Sequence, residues 1–130
     1  LTITSCAPVE VIQTISAPAA EAIAVGKVCK IDPATGLASM AKGSDAAEAR
    51  GIGVAITAAT VAGQTITILR KGKLDVGNAL SALAYDAPVY LSDTDDGILA
   101  DSVGTVTLNV ARVIPVWNAV SAPDKVLMLE

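Results

Sequence analysis

Two apolar stretches near the middle of the chain predict a β-hairpin. Residues 52–57 and residues 65–71 are rich in Val, Ile and Thr, whose branched side chains pack well on a pleated surface. The second stretch begins Thr-Ile-Thr-Ile, and this alternation places both isoleucines on one face of a strand and both threonines on the other. The connection between the two strands, residues 58–64, contains an Ala-Gly pair.

Shorter apolar runs separated by turn residues predict further strands. Residues 32–36 read Asp-Pro-Ala-Thr-Gly and supply a turn, because Pro presets φ and Gly accepts a positive φ. Turn signals recur about every 8–12 residues, which indicates an all-β fold, a small β-barrel or sandwich with short helical turns. We expect an edge strand at residues 9–15, further strands at residues 27–31, 37–41, 88–91, 106–110, 113–117 and 126–129, and helical turns at residues 44–50 and 78–85.

The first 18 residues are expected to form an extended N-terminal arm, followed by a single β-rich domain at residues 19–130. Pro8 and Pro18 punctuate this segment. Residues 1–8 are uncharged and too polar to form a core strand alone. We expect them to lie on a neighbouring subunit or on the surface of a larger assembly.

A faint internal repeat divides the predicted domain into two β-units, at about residues 28–69 and 89–130. An offset of 61 positions pairs the strand and turn that begin at Val28 with those that begin at Val89. Strands and turns stay in step across both copies without a gap. We interpret the units as an old duplication whose halves share one core.

Composition narrows the classes of function. The chain is 52% hydrophobic but only 2% aromatic, with no Phe and no His, so its core is built from Ala, Val, Ile and Leu. Nine basic and thirteen acidic residues give a net charge of −4, and no basic stripe with interleaved aromatic residues is present. We therefore expect no direct nucleic-acid binding. No apolar run is long enough for a membrane span, and no secretory signal pattern appears.

The residues needed for catalysis or for a cofactor do not assemble in the sequence. Without His, a Ser or Cys nucleophile lacks its usual base, so we expect no enzyme and no cofactor. The acidic run at residues 92–97 fails the spacing of a calcium-binding EF-hand loop and is expected to be a solvated turn. Cys6 and Cys29 alone are too few for a tetrahedral metal site, and we expect two free thiols, although a disulfide stays open.

An alternative function is that of a small β-rich carrier or ligand-binding domain. Ser-Met-Ala-Lys at residues 39–42 invites comparison with biotinyl and lipoyl carriers, which present a modified Lys on a tight hairpin. Lys42 instead ends a predicted strand and has no Met directly beside it.

Four residues are candidates for an interface. Arg70, Lys71 and Lys73 form the only cluster of basic residues, and they either contact an acidic patch on a partner or guard a strand edge against unwanted pairing. Trp117 is the only Trp, and a core of small residues leaves little room for an indole, which favours an interface. Tyr85 and Tyr90 are weaker candidates for the same role.

A series of motifs follows in order along the chain from about residue 9 onward. They are an Ala-rich approach at residues 17–22, a Gly-Lys-Val strand with an Asp…Gly turn at residues 26–37, GIGVA at 51–55, AGQTITI at 62–68, Gly72, PVYL at 88–91, DGIL at 96–99, VARV at 110–113 and a terminal apolar strand. In its small residues, turns and strand spacing, this order resembles the small cement, or head-decoration, proteins of tailed-bacteriophage capsids, long grouped as a phage domain of unknown function.

What the resemblance implies is a structural protein that is made in the host cytoplasm and binds the exterior of the virion. Such proteins are typically homotrimers seated where subunits of the major capsid protein meet. They reinforce the shell against the pressure of the packaged DNA. The expected partners are therefore the major capsid protein and further copies of this chain.

Overall fold

The computed structural model describes residues 1, 3, 6–44, 52–106, 109–115 and 125–129. Their fold is almost entirely β, which confirms the predicted fold class. The strands are β1 (Ala7–Pro18), β2 (Val28–Ile31), β3 (Ala38–Met40), β4 (Gly53–Ala55), β5 (Thr65–Asp75), β6 (Pro88–Leu91), β7 (Leu99–Ala100), β8 (Asn109–Pro115) and β9 (Lys125–Leu129), and a 3-10 helix spans Gly77–Leu80. The described residues include no helix of the length and apolarity that crossing a membrane requires.

One antiparallel sheet contains all of these strands, in the order β3-β2-β4-β5-β9-β8-β6-β7, with β1 added on β5. The long strand β5 is the hub of the sheet. It pairs with β4 through Ile68 and Leu69, with β9 through residues 72–74, and with β1 along its whole length. The predicted alternation at the start of β5 is confirmed, since Ile66 and Ile68 are buried.

Two sets of four strands share the same pairing order. β2 pairs with β3 and β4, and β4 pairs with β5; likewise β6 pairs with β7 and β8, and β8 pairs with β9. The last strands of the two sets, β5 and β9, pair with each other. The sets resemble the two β-units proposed from the sequence repeat, except that β5 extends to Asp75, beyond residue 69, and β6 begins one residue earlier, at Pro88. The origin of the units by duplication stays a hypothesis.

The main core cluster draws on both sets of strands. Val54 and Leu69 from the first set lie in the same cluster as Val113 and Leu127 from the second. A smaller cluster is formed by the first set, the end of β1 and the connections next to them, and alanines form a large part of it. Its members are Ala17, Ala19, Ile23, Cys29, Ala38, Ala55, Ala59, Ile66 and Ile68.

Backbone hydrogen bonds curl the sheet so that its two outer parts meet. The turn between β6 and β7 contributes Gly97, whose carbonyl accepts from the Val28 N–H at 2.9 Å and whose N–H donates to the Ala41 carbonyl at 2.6 Å. Gly43 N–H donates to the Ser92 carbonyl at 2.7 Å. These bonds join β2 and the end of β3 to the β6–β7 hairpin outside the regular strand ladders.

Several strand boundaries differ from the predictions. β4 is shorter than predicted, because the Thr57 hydroxyl and the Ile56 N–H bond to the backbone of Thr67 where the ladder would continue. β5 is longer than predicted and passes through Gly72. β7 was not predicted, and β8 joins parts of two predicted strands. Residues 107–108 and 116–117 of these two predicted strands, and residues 45–50 of the first predicted helical turn, lie outside the described residues.

The N-terminal segment joins the sheet of its own chain. Residues 7–18 form β1, which contains the predicted edge strand. The Leu1 amino group donates to the Leu99 carbonyl at 2.9 Å, and Leu1, Ile3 and Cys6 pack against the main core cluster. Contact of this segment with a neighbouring subunit stays a prediction.

Candidate interaction surface

β1 is an exposed strand with one free edge. It pairs with β5, and no other strand among the described residues pairs with it. Every residue from Ala7 to Thr14 is exposed, including Val9, Val11 and Ile12 at 58%, 53% and 66%. A long edge strand with exposed apolar side chains is a template for contact with another chain. We therefore consider β1 the primary candidate surface.

Bulges place two of these apolar side chains outside the regular ladder. Pro8 pairs with Leu74 and Glu10 with Lys73, which leaves Val9 as an extra residue in β1. Ile12 is extra in the same way, between residues paired with Gly72 and Lys71. Because a bulge bends its strand and redirects a side chain, these two residues are presented to solvent rather than to the sheet.

Gly72 allows β1 to approach β5 in this region. A Cβ atom at Gly72 would lie 2.2 Å from the Glu10 carbonyl oxygen, a distance that no side chain tolerates. Its φ of +146° is also a backbone conformation that other residues rarely adopt. The bulged pairing of β1 with β5 therefore depends on glycine at this position.

A shallow groove of about 320 Å³ crosses β1, β5 and β9 beside Gly72. We call it the β1–β9 groove. Its apolar lining comes from Ile12, Met128 and Leu129, and its charged lining from Glu10, Lys71 and Lys73. Lys73 stands opposite Glu10 on one side and opposite Met128 on the other.

The predicted basic cluster lies at this groove. Lys71 and Lys73 line it, whereas Arg70 is exposed on β5 next to it and is the extra residue of a third bulge. Within the described part of the chain, none of the three side chains has a carboxylate partner within ion-pair distance. The structure thus brings two of the predicted residues together with an apolar surface that sequence reasoning missed.

The remaining interface candidates do not join this surface. Trp117 lies outside the described residues. Tyr85 is 47% exposed, and the Lys125 ammonium sits 5.2 Å from the centre of its ring, while Tyr90 is half-buried in β6. A signal for the missed surface exists in the sequence, since residues 9–12 combine high strand propensity with a single charge, Glu10.

The acidic run at residues 92–97 organises loops. The Ser92 hydroxyl accepts from the N–H groups of Thr94 and Asp95, and the Asp93 carboxylate accepts from the N–H and hydroxyl of Thr105 at 3.0 and 2.9 Å. Across the residues that the structure describes, no group of three or more potential metal ligands converges. Lys42, the carrier candidate, is half-buried just after β3 and does not occupy a hairpin tip.

Cys6 and Cys29 are both free thiols. Cys29 is buried in β2, and burial raises its pKa from 9.0 to about 12, with a smaller opposing contribution from a backbone hydrogen bond. Burial, with the charge of Asp75 as a lesser cause, also raises the pKa of the half-buried Cys6. Neither thiol is activated as a nucleophile.

The raised pKa of Cys29 predicts a loss of stability in alkali. The unfolded chain releases the thiol proton near pH 9, whereas the folded chain retains it until about pH 12. The free energy of unfolding therefore decreases as the pH rises between these values. Urea unfolding should show the wild type losing about 1–2 kcal/mol more than Cys29→Ala between pH 8 and about pH 10.5. Equal losses in the two proteins would contradict the assignment.

Comparison of the chain with models of protein families, with curated proteins and with solved structures found no match.

Proposed function

We propose that this chain is a structural protein that binds the exterior of an assembled phage head and stabilises it. The single observation that carries the proposal is the exposed strand β1, in which three large apolar side chains lie beside basic residues of β5 that have no ion-pair partner within the described part of the chain. A protein that acts alone in water has little use for such a surface, whereas a protein that docks on a larger assembly covers it.

The order of motifs along the chain supports the same function. It resembles that of head-decoration proteins, as described above, and those proteins act by binding alone. The expected partners are the major capsid protein and further copies of this chain in a homotrimer. The expected location is the outside of the virion, after synthesis in the host cytoplasm.

Stabilisation of a shell needs only binding. A protein that binds the assembled shell but not its dissociated subunits shifts the equilibrium towards the shell by mass action. At a free concentration of about 100 times its Kd, each occupied site contributes about 2.7 kcal/mol. The proposed function therefore requires no bond to be made or broken.

Heads that lack the protein test this proposal. We expect them to assemble but to release DNA at a lower temperature than decorated heads, and we expect purified protein to restore the higher temperature, with or without EDTA. The temperature of DNA release is measured by heating the heads with a fluorescent dye that binds DNA once it is exposed. Cryo-electron microscopy of restored heads should show three copies at three-fold positions. The matched control is add-back of a Val9→Ser/Ile12→Ser variant, which removes apolar surface from β1 and should restore less.

Two results would contradict the proposed function. One is that depleted heads resist heat as well as decorated heads do. The other is that EDTA alone abolishes binding of the protein, since this would place a metal at the interface.

A further inference from the structure

We propose that the β1–β9 groove binds an extended segment of the shell protein that carries a carboxylate next to an apolar side chain. This inference rests on the proposed function and names the chemistry of its contact. It follows from the lining of the groove, from its charge and from the way the groove is built.

The apolar part of the groove selects an apolar side chain. Ile12 is 66% exposed, and Met128 is half-buried beside it on β9. Gly72, which has no side chain, belongs to the same lining on β5. An apolar side chain lying here would cover Ile12 and the exposed part of Met128. Removing this apolar surface from water would favour binding.

The charge of the groove selects an acidic partner. Lys71 and Lys73 bring two positive charges and Glu10 one negative charge, so the groove is net positive on a chain whose overall charge is −4. Lys71 and Lys73 have no ion-pair partner among the described residues. A carboxylate of the bound protein would form an ion pair with these lysines, whereas a basic segment would be repelled.

A second depression on the chain does not have this character. It holds about 440 Å³ and is lined mostly by alanines, with Ile23, Met40 and Thr60, together with Lys27 and Asp96, whose charges are opposite. The β1–β9 groove, in contrast, combines apolar surface with an excess of positive charge, so its electrostatics specify a partner. A third depression also has apolar residues around one lysine, Lys27, but its volume is only about 50 Å³.

Carbodiimide cross-linking of decorated heads tests the groove directly. This reagent joins an amine to a carboxylate that lies in ion-pair contact with it. We expect peptides in which Lys71 or Lys73 is joined to Asp or Glu of the shell protein, identified by mass spectrometry. Lys27, Lys30 and Lys42 serve as internal controls and should give few such peptides.

Charge reversal gives the matched affinity test. We expect Lys71→Glu/Lys73→Glu to bind depleted heads about 10- to 100-fold more weakly than the wild type. The difference in affinity should be larger at low salt, where charges are screened less. Lys42→Glu and Lys71→Glu each reverse one charge, but only Lys71 lines the groove. We expect Lys42→Glu to bind heads as the wild type does and Lys71→Glu to bind them more weakly. Circular dichroism of each variant checks that the sheet is intact.

The outcomes separate the two proposals. If the wild type binds heads but the charge reversals bind equally well, or if Lys71 and Lys73 cross-link only to other copies of this chain, the groove assignment is overturned while the proposed function stands. If the wild type does not bind heads, both proposals are overturned. Cross-links to shell carboxylates together with weakened binding of the double variant support the assignment.

Discussion

Replacing Gly72 with alanine is expected to lower the free energy of unfolding by about 2–4 kcal/mol and to release β1 from β5. The new Cβ atom would lie 2.2 Å from the Glu10 carbonyl oxygen, and this atom belongs to the backbone of the neighbouring strand. A flexible side chain could move aside, but here the whole of β1 must shift. Urea unfolding measures the loss, and hydrogen exchange of residues 7–18 measures the release of β1.

Gly36→Ala is the matched control for this prediction. Gly36 also has a positive φ, +72°, but no heavy atom lies within 4 Å of the position its Cβ would take. Its substitution costs only the conformational preference, about 1–2 kcal/mol, and should leave exchange in β1 unchanged. Similar losses for both variants, or protected amides in β1 of Gly72→Ala, would show that close approach of the two strands is unimportant. Because Ile12 would move with β1, Gly72→Ala should also weaken the proposed binding to heads.

Leu127→Ala is expected to destabilise the entire sheet by about 2–5 kcal/mol. Leu127 is fully buried in β9, opposite Leu74 on β5 and opposite Val113 on β8. Truncation would leave a cavity in the cluster to which both sets of strands contribute. Since the two sets share this cluster, we expect a single unfolding transition that moves as a whole to lower denaturant concentration.

The exposed residue Val103 supplies the control for this change. Val103→Ala removes apolar atoms that are 56% exposed, and the effect should stay within about 0.5 kcal/mol. Two separate transitions in Leu127→Ala, one for residues 28–75 and one for residues 88–129, would contradict a shared core. Tryptophan fluorescence and far-ultraviolet circular dichroism together report whether the transitions coincide.

Local patterns were sufficient to predict most strands of this fold. The Thr-Ile-Thr-Ile alternation located the buried face of β5, because side chains of a strand point to opposite faces in turn. The run at residues 88–91 matched β6, and the Asp-Pro-Ala-Thr-Gly turn lies between β2 and β3. In each case neighbouring residues along the chain carry the relevant information.

Other features depend on contacts between distant residues and had no local signal. The predicted strand ended at residue 71, yet β5 continues through Gly72 because glycine admits the bulged approach of β1. β7 contains only two residues and is defined by its pairing with β6, so it is too short for a periodic pattern to predict it. The curl of the sheet depends on hydrogen bonds of Gly97 to β2 and to Ala41, which no pattern encodes.

The candidate surface shows the same division. The basic residues at positions 70–73 were evident from the sequence, but their apolar neighbours were not. Met128 lies 55 positions from Lys73 and meets it only through the β5–β9 register. Ile12 reaches the same groove only because a bulge redirects it. Predicting the groove thus requires the register of three strands, which the sequence specifies less directly than the strands themselves.

The pairing of β5 with β9 has a consequence for how this protein behaves on dilution. These strands end two sets that have the same pairing order, and residues 76–87 tether one set to the other. If the two sets were separate polypeptides, the fraction of them associated would fall as the protein was diluted. The tether holds each set at an effective concentration in the millimolar range relative to the other. The sheet can therefore stay intact in dilute solution, whereas binding to any separate partner weakens as the protein becomes more dilute.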